Sequence, residues 1–534
     1  MKKVSIVQGA IIGGITSIPV LAMSYLGFVL TGVPFAAFAI FDGLVRILPG
    51  PIVTFGIDSM ITLLNFINLG SVSGSAKTAE RLGAITIFIL GGSLFGAILS
   101  SIGRKQSKNL LVAGVLGGFL WTLVLILVMA YLGFGAVTPA ASLIWLGSLM
   151  IAWGLVLGWV IKSLPSILAS SDDAPISRRG FLYIFGGGSA AVTLGALGVA
   201  RLAGSEPATL VEQGSGTPDL STTSGTAASP SNEMLSARIE PTSGTRAEIT
   251  PPGEFYSVDI NSLPPSINEE TWRLPLVGLV ERPLTLSLAE LRTRPAVSQV
   301  ITLSCISNSV GGSLIGTALW KGVRLREILE ETGLMSEARS LFIESADGFY
   351  ESVSRIDAMD DRTLLVYEMN DAPLERKHGY PLRIYIPDRF GMKQPKWIES
   401  IEAINHDGPG YWVDRGWSEE AIVRMTSVID DVSTKEFDGT MGVVPIGGIA
   451  YSGAKTISKV EVQIDDEPWI EAQLRVPPLS PLTWVQWRYD WQGVPGSHTV
   501  RVRAFDGTGQ VQDSQERRSR PDGATGIHTE DFRL

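Results

Sequence analysis

A single cysteine, Cys305, stands in 534 residues, in the stretch TLSCISNSVGG at the end of an apolar run and just before a polar turn. One thiol excludes an intrachain disulfide and a zinc cluster of several cysteines. A buried lone cysteine is either an inert small hydrophobe or a residue kept for its chemistry. Downstream, hydrogen-bond donors gather in two short runs: His378 and Arg383 in HGYPLR, and Lys393, Gln394 and Lys396 in GMKQPKW. Asp347 lies in SADG, and Tyr256 and Ser257 in EFYSVD. Arg, Lys and His donors suit charged or polar-edged ligands. Taken singly, each is a solvated surface charge, and Tyr256 is an ordinary core aromatic.

The elements that must position these residues are short. Strand-like runs such as WRLPLVGLV, LTLSL, LFIESADG and PLRIYIP alternate with turns and with the helical pattern VRLREILEETG, which predicts a mixed α+β domain over 254–420. From 421 to 534 the pattern changes to period two, with Val460, Val462 and Ile464, then Val500, Val502 and Ala504, which predicts a β-sandwich. Between 204 and 253 the chain is rich in Gly, Ser, Thr and Pro and reads as a flexible tether.

The N-terminal part is of another kind. Residues 1–203 carry 12 Lys/Arg and 5 Asp/Glu, a net +7, whereas the remaining 31 Lys/Arg and 48 Asp/Glu give −17. An acidic soluble part argues against nucleic-acid binding. Uncharged apolar runs near 4–30, 82–103, 109–133, 139–161 and 181–200 predict an all-α bundle of five transmembrane helices. The apolar stretch 33–70 is interrupted by Asp42, Arg46 and Asp58 and broken by LPGP, so it is two interfacial helices or a tight hairpin of two short passes. Lys2 and Lys3 place the amino terminus in the cytoplasm, and Arg104, Lys105, Lys108, Lys162, Arg178 and Arg179 then also fall inside. Lys77 and Arg81 are the exception. Everything after about residue 203 is expected outside the cytoplasm, on a multi-pass protein of the cell membrane in contact with lipid. The SRRGFL motif at 177–182 fits a twin-arginine export signal ahead of the last span. All four histidines, His378, His406, His498 and His528, lie beyond residue 203, so the spans cannot offer paired imidazoles to a haem.

Taken together, TLSCISN, GTALWKGVRLREIL, SADGFYES, HGYPLR, GMKQPKW and YWVDRGW resemble the sulfite oxidase family of molybdenum enzymes over 254–420. The final part, with GGIAYSG, KVEVQIDDEPW and GATGIH, resembles that family's immunoglobulin-like second domain. The resemblance implies a molybdenum–molybdopterin cofactor whose dithiolene supplies two sulfurs, with Cys305 as the one protein ligand to the metal. It further implies cofactor contacts from Tyr256, Ser257, Asn308, Asp347, His378, Arg383, Gly391, Met392, Lys393, Gln394 and Lys396, with Tyr256 and Cys305 at the catalytic centre. Twin-arginine export moves folded proteins, which suits a domain built around its cofactor before crossing. A homodimer through the second domain also follows from the resemblance.

Departures matter too. Sulfite oxidizers carry arginines after the cysteine motif and an Arg-Asn-His segment after FY, where this chain has Ser309, Val310 and Asp259 to Asn261. Anionic sulfite wants converging cations. Arg389 and Arg415 are the candidates to replace them from other loops. The expectation is a membrane-anchored molybdenum oxidoreductase that moves an oxygen atom to or from a small substrate, either sulfite oxidation or S-/N-oxide reduction. No haem is expected, and electrons pass to or from a separate carrier, cytochrome or quinone-linked. The alternatives are a cofactor-free outward-facing receptor on the same fold, or spans that themselves transport or sense.

Overall fold

The computed structural model describes residues 4–31, 33–49, 52, 56, 72–105, 109–132, 139–168, 186–204, 238–434 and 442–534. These form two compact units: one of N-terminal helices, and one of the residues from 238 onward apart from 260–264.

In the first unit, among the described residues, four helices are long and apolar enough to cross a membrane: Ile6–Thr31, Glu80–Arg104, Leu110–Leu132 and Leu143–Leu164. A helix satisfies its own backbone, which apolar surroundings require. Small residues let these helices meet backbone to backbone. A Cβ on Gly96 would lie 2.0 Å from the Gly9 carbonyl, and one on Gly154 would lie 2.1 Å from that of Gly114. Trp153 Nε1 donates to Thr16 Oγ1 at 2.9 Å inside the bundle, while Val7, Leu94, Leu116 and Ile144 stay exposed. Within the interrupted stretch 33–70 a helix forms at Ala36–Ile47. The expected fifth span begins outside the described residues; its described part is the 17-residue helix Gly188–Gly204. The twin-arginine motif at 177–182 also lies outside them.

The second unit contains two sheets that carry the candidate site and two that form the predicted sandwich. The first sheet runs in the order Leu284–Leu286, Leu274–Gly278, Ile398–Ile404, Ser340–Ser345, Tyr350–Ser354. Only the Leu274–Gly278 and Ile398–Ile404 pairing in it is parallel. The second sheet runs Val297–Ser304, Ile315–Arg324, Leu364–Met369, Ala372–Pro373, with Arg383–Tyr385 added beside Leu364–Met369. Leu276, Leu325, Ile328, Ile343, Leu365, Ile384 and Ile401 are among the residues of their common core. The helix Leu325–Thr332 is the one read from REILEET, and it stops at Gly333, whose φ of 69° is the left-handed conformation that glycine adopts without strain.

The sandwich pairs a sheet ordered Thr426–Val432, Gly442–Tyr451, Val485–Gly493, Gln473–Leu474 with one ordered Ile470–Glu471, Ile457–Ile464, Ser497–Asp506, His528–Arg533. Val460, Val462, Ile464, Val500, Val502 and Ala504 all point into the core between them.

Residues 205–237 lie outside the described set, but from Arg238 the chain lies against the sandwich. Arg238 pairs with Glu248, Arg475 Nε reaches Glu248 at 3.1 Å, and Arg246 pairs with Asp430 at 3.0 Å. Ion pairs and hydrogen bonds hold this stretch where apolar burial alone would not.

Candidate active site

Cys305 follows directly on the strand Val297–Ser304, whose last five residues are buried. The turn that presents it is closed by three bonds: Cys305 N to Leu314 O at 2.9 Å, Asn308 N to Cys305 O at 3.0 Å, and Leu314 N to Asn308 Oδ1 at 2.9 Å. Cys305 is buried, 8% exposed, with Ser307 Oγ 3.0 Å from its sulfur. Burial pushes the thiol up, while the Ser307 hydroxyl and the Lys396 charge pull it back.

Across from the strand lies the loop Phe390–Gln394. Gly391 has no side chain, and a Cβ there would sit 3.1 Å from Tyr256 Oη and 3.6 Å from the Ser304 carbonyl. Loop, tyrosine hydroxyl and strand end therefore converge beside Cys305, and glycine is what allows the approach. Phe255 stacks on Tyr256 at 5.4 Å and meets both Trp320 and His378 edge-on. Burial raises the Tyr256 phenol well above its ordinary value, Cys305 adds to this, and Arg383 opposes it.

The donors form a second wall. Arg383, only 6% exposed, donates Nη1 to the His378 carbonyl at 3.1 Å and stacks 4.9 Å from the Trp320 ring. No carboxylate pairs with it among the described residues. Burial lowers its guanidinium to about 10. His378 is pushed down to about 3 by burial and then by the neighbouring Arg383, Lys377 and Lys396 charges, so it is neutral at physiological pH. Its Nε2 is buried without a hydrogen-bond partner among the described residues. At Gly379, φ 113°, a Cβ would lie 3.0 Å from the Arg383 Cβ and 3.1 Å from the Lys396 Cβ, so glycine lets this turn pack beside both. Lys396 donates to the Lys377 carbonyl at 3.1 Å, pairs with buried Asp259 at 3.4 Å and lies 4.2 Å from the Trp397 ring. Burial lowers its ammonium, and Asp259 and, more weakly, Asp347 partly restore it. Ser257 Oγ joins the same knot, donating to the Lys377 carbonyl at 3.1 Å.

Tyr256, Ser257, Cys305, Asp347, His378, Arg383, Gly391 and Lys396 are thus linked by contact or by charge. Asn308 shapes the cysteine turn. Met392 packs with Ile306, Phe390 and Ala421. Gln394 donates Nε2 to the Arg389 carbonyl at 2.9 Å and keeps Oε1 buried without a partner. Lys393 differs from the rest: its ammonium donates to Glu351 at 2.7 Å inside the protein. Glu351 carries no signal in the sequence, nor does Tyr451, whose hydroxyl donates to the Thr302 carbonyl at 2.9 Å, and Asp259 stands out only as a departure from a motif. No local spacing links any of the three to the cysteine turn.

Arg389 is held by Asp357 through two bonds, at 3.2 and 3.0 Å. Arg415 lies 3.6 Å over the Tyr411 ring. Because Arg389 has its charge matched by a partly buried carboxylate, Arg389→Lys is expected to leave the substrate KM within about twofold and to lower stability by roughly 1 kcal/mol through loss of the fork. A tenfold rise in KM in steady-state assays would instead make Arg389 the missing substrate cation.

A buried arginine with no carboxylate partner among the described residues, an unpaired imidazole nitrogen and an unpaired amide oxygen, together with a lone sulfur, fit an anionic ligand with polar edges that also binds through a soft atom. Residues 261–412 match the family model described as the oxidoreductase molybdopterin binding domain. The chain is 27% identical over 325 residues to the barley (Hordeum vulgare) NADH nitrate reductase, covering 49% of this chain and 36% of that protein. It is 31% identical over 306 residues to the mitochondrial sulfite oxidase of Rattus norvegicus, covering 49% of this chain and 56% of the relative. Over 146 residues it is 30% identical to the uncharacterized oxidoreductase YuiH of Bacillus subtilis, covering 27% of this chain and 72% of YuiH. This chain belongs to the sulfite oxidase family of molybdopterin-binding oxidoreductases. It spans about half or less of the length of the first two relatives.

Proposed function

We propose that the chain is a membrane-anchored molybdenum oxidoreductase, facing away from the cytoplasm, that transfers an oxygen atom to or from a small substrate. The observation that carries this is the buried Cys305 beside donors of which Arg383 has no carboxylate partner among the described residues. The molybdenum–molybdopterin cofactor, when bound, would supply two-electron redox chemistry at the metal, with two of the metal's sulfur ligands coming from the pterin dithiolene. Cys305 would hold the metal. Arg383, Lys396 and His378 Nε2 would face the anionic and polar parts of the cofactor, with Gln394 Oε1 as an acceptor and Gly391 leaving room beside Tyr256.

The tyrosine hydroxyl, held protonated by burial, can donate a hydrogen bond at any physiological pH. The neutral His378, whose other ring nitrogen donates to the Pro252 carbonyl, offers Nε2 as an acceptor. Positive charges flanking the first spans support an outward catalytic unit, exported after folding, with an immunoglobulin-like sandwich that also serves a homodimer. Electrons go to or come from a separate carrier.

The test is to purify the full chain from a cofactor-competent host, measure molybdenum by elemental analysis, and screen it against sulfite and against S- and N-oxides. About one molybdenum per chain and turnover on one of these classes is the expected result. Metal-free, inactive protein would leave the cofactor-free receptor in its place.

A further inference from the structure

We propose that the turn from Tyr451 to Ala454 of the sandwich is a brace that sets the spacing between the Cys305 strand and the Phe390–Gln394 loop, with Tyr451 and Asp388 as positioning residues. The inference rests on reading Cys305 as the metal-holding sulfur.

The strand Val297–Ser304 is the last in its sheet, so one side of it has no strand partner among the described residues. An open edge is the least constrained part of a sheet. Here the sandwich occupies it, and at Thr302, three residues before the cysteine, every polar atom is engaged. Thr302 N donates to Leu482 O at 3.0 Å, its hydroxyl oxygen accepts from Trp484 N at 2.9 Å, and its carbonyl accepts from Tyr451 Oη at 2.9 Å. Tyr451 ends the strand Gly442–Tyr451 and is 3% exposed.

Three residues further on, the same turn grips the other wall. Ala454 N donates to Asp388 Oδ1 at 2.5 Å. Gly453 lies so close that a Cβ would meet the same oxygen at 2.5 Å. Asp388 has φ 61°, and its carbonyl accepts from Val423 N at 3.0 Å. It stands two residues before Phe390, at the entrance to the loop whose Gly391 closes on Tyr256 and Ser304. One short turn therefore ties the strand that ends in Cys305 to the loop opposite. Sub-ångström spacing between a metal ligand and its surrounding donors is what such outer contacts control.

A tyrosine hydroxyl on a carbonyl is also an ordinary way to satisfy a buried polar group, so the experiment must separate the two roles. The full chain, produced with its cofactor, is compared with Tyr451→Phe, Asp388→Gly and the double variant, using whichever substrate the screen yields. Glycine tolerates the left-handed backbone at 388, so that variant carries the test if Tyr451→Phe fails to fold. Each single variant is expected to keep molybdenum near the wild-type level, to shift the Mo(V) EPR signal of the reduced protein, and to lower kcat roughly 10- to 100-fold with KM within about twofold. The double variant should fall no further than the worse single one, since either loss releases the same brace. In cofactor-free protein, iodoacetamide should alkylate Cys305 about tenfold faster in Tyr451→Phe. Asp388→Asn, which keeps the acceptor oxygen, should restore kcat.

Unchanged EPR and kcat with only a lower Tm would make Tyr451 merely structural and overturn the brace; fully additive losses in the double variant would do the same. Wild-type protein without metal would instead remove the reading of Cys305 on which the brace depends.

Discussion

Cys305→Ala should give a folded protein with almost no molybdenum and turnover lower by on the order of 10³-fold or more. The fold should survive because the bonds closing the cysteine turn run between backbone atoms and Asn308 Oδ1, and none uses the sulfur. What packing is lost is one small side chain, worth about 1 kcal/mol in a core that relaxes little. Function has no such reserve. Cys305 is the only cysteine in the chain, so no neighbouring thiol can take its place. Cys305→Ser separates ligand chemistry from packing: the hydroxyl keeps the size and the hydrogen bond to Ser307, but it is a hard oxygen where a soft sulfur is wanted. It should fold like the wild type and retain less metal, with activity near that of the alanine variant. Elemental analysis beside circular dichroism measures both. Full metal content and normal turnover in Cys305→Ala would end the reading of this residue as a ligand.

Local pattern and long-range contact were unequally legible in the sequence. The alternation at Val460, Val462 and Ile464 reports a strand with one buried face, because a period of two is fixed by strand geometry alone, and these three residues do line the sandwich core. HGYPLR and GMKQPKW could be picked out because the residues that build one wall of the site lie within 20 positions of each other, from His378 to Lys396. The partners that neutralise or brace that wall come from far along the chain. Asp259 reaches Lys396 across 137 residues, and Tyr451 reaches Thr302 across 149. No periodicity encodes such pairs. The end of the tether was hidden for a different reason: Arg238 to Gly253 is polar enough to look disordered, yet Glu248 and Asp430 meet its arginines and the segment is held by charge.

Lys393 is where motif and structure diverge most, and the second large effect is expected there. Its ammonium sits 2.7 Å from Glu351, with side chains 10% and 0% exposed. Gly410 closes over the carboxylate so tightly that a Cβ would lie 2.3 Å from Oε1, and Oε2 has no hydrogen-bond partner. Burial holds the Glu351 carboxyl above its usual range even though Lys393 pulls it down. Lys393→Met removes that pull and leaves a buried charge alone, a loss of about 3 to 5 kcal/mol when the carboxylate is ionised.

The pH dependence follows from the sign of the shift. A carboxyl whose folded pKa lies above its unfolded value takes up a proton more readily in the folded state, so its destabilising effect is full at high pH and fades as pH falls through the folded pKa. The variant should therefore lose more stability at pH 8 than at pH 5.5 in denaturant titrations, and an equal loss at both would contradict the burial argument. Adding Glu351→Gln removes the stranded charge and should recover most of the loss. That double variant also decides what Lys393 is for. If the lysine only anchors the Phe390–Gln394 loop, the neutral pair keeps molybdenum at the wild-type level; if its charge holds the cofactor, the protein will be stable and yet metal-poor.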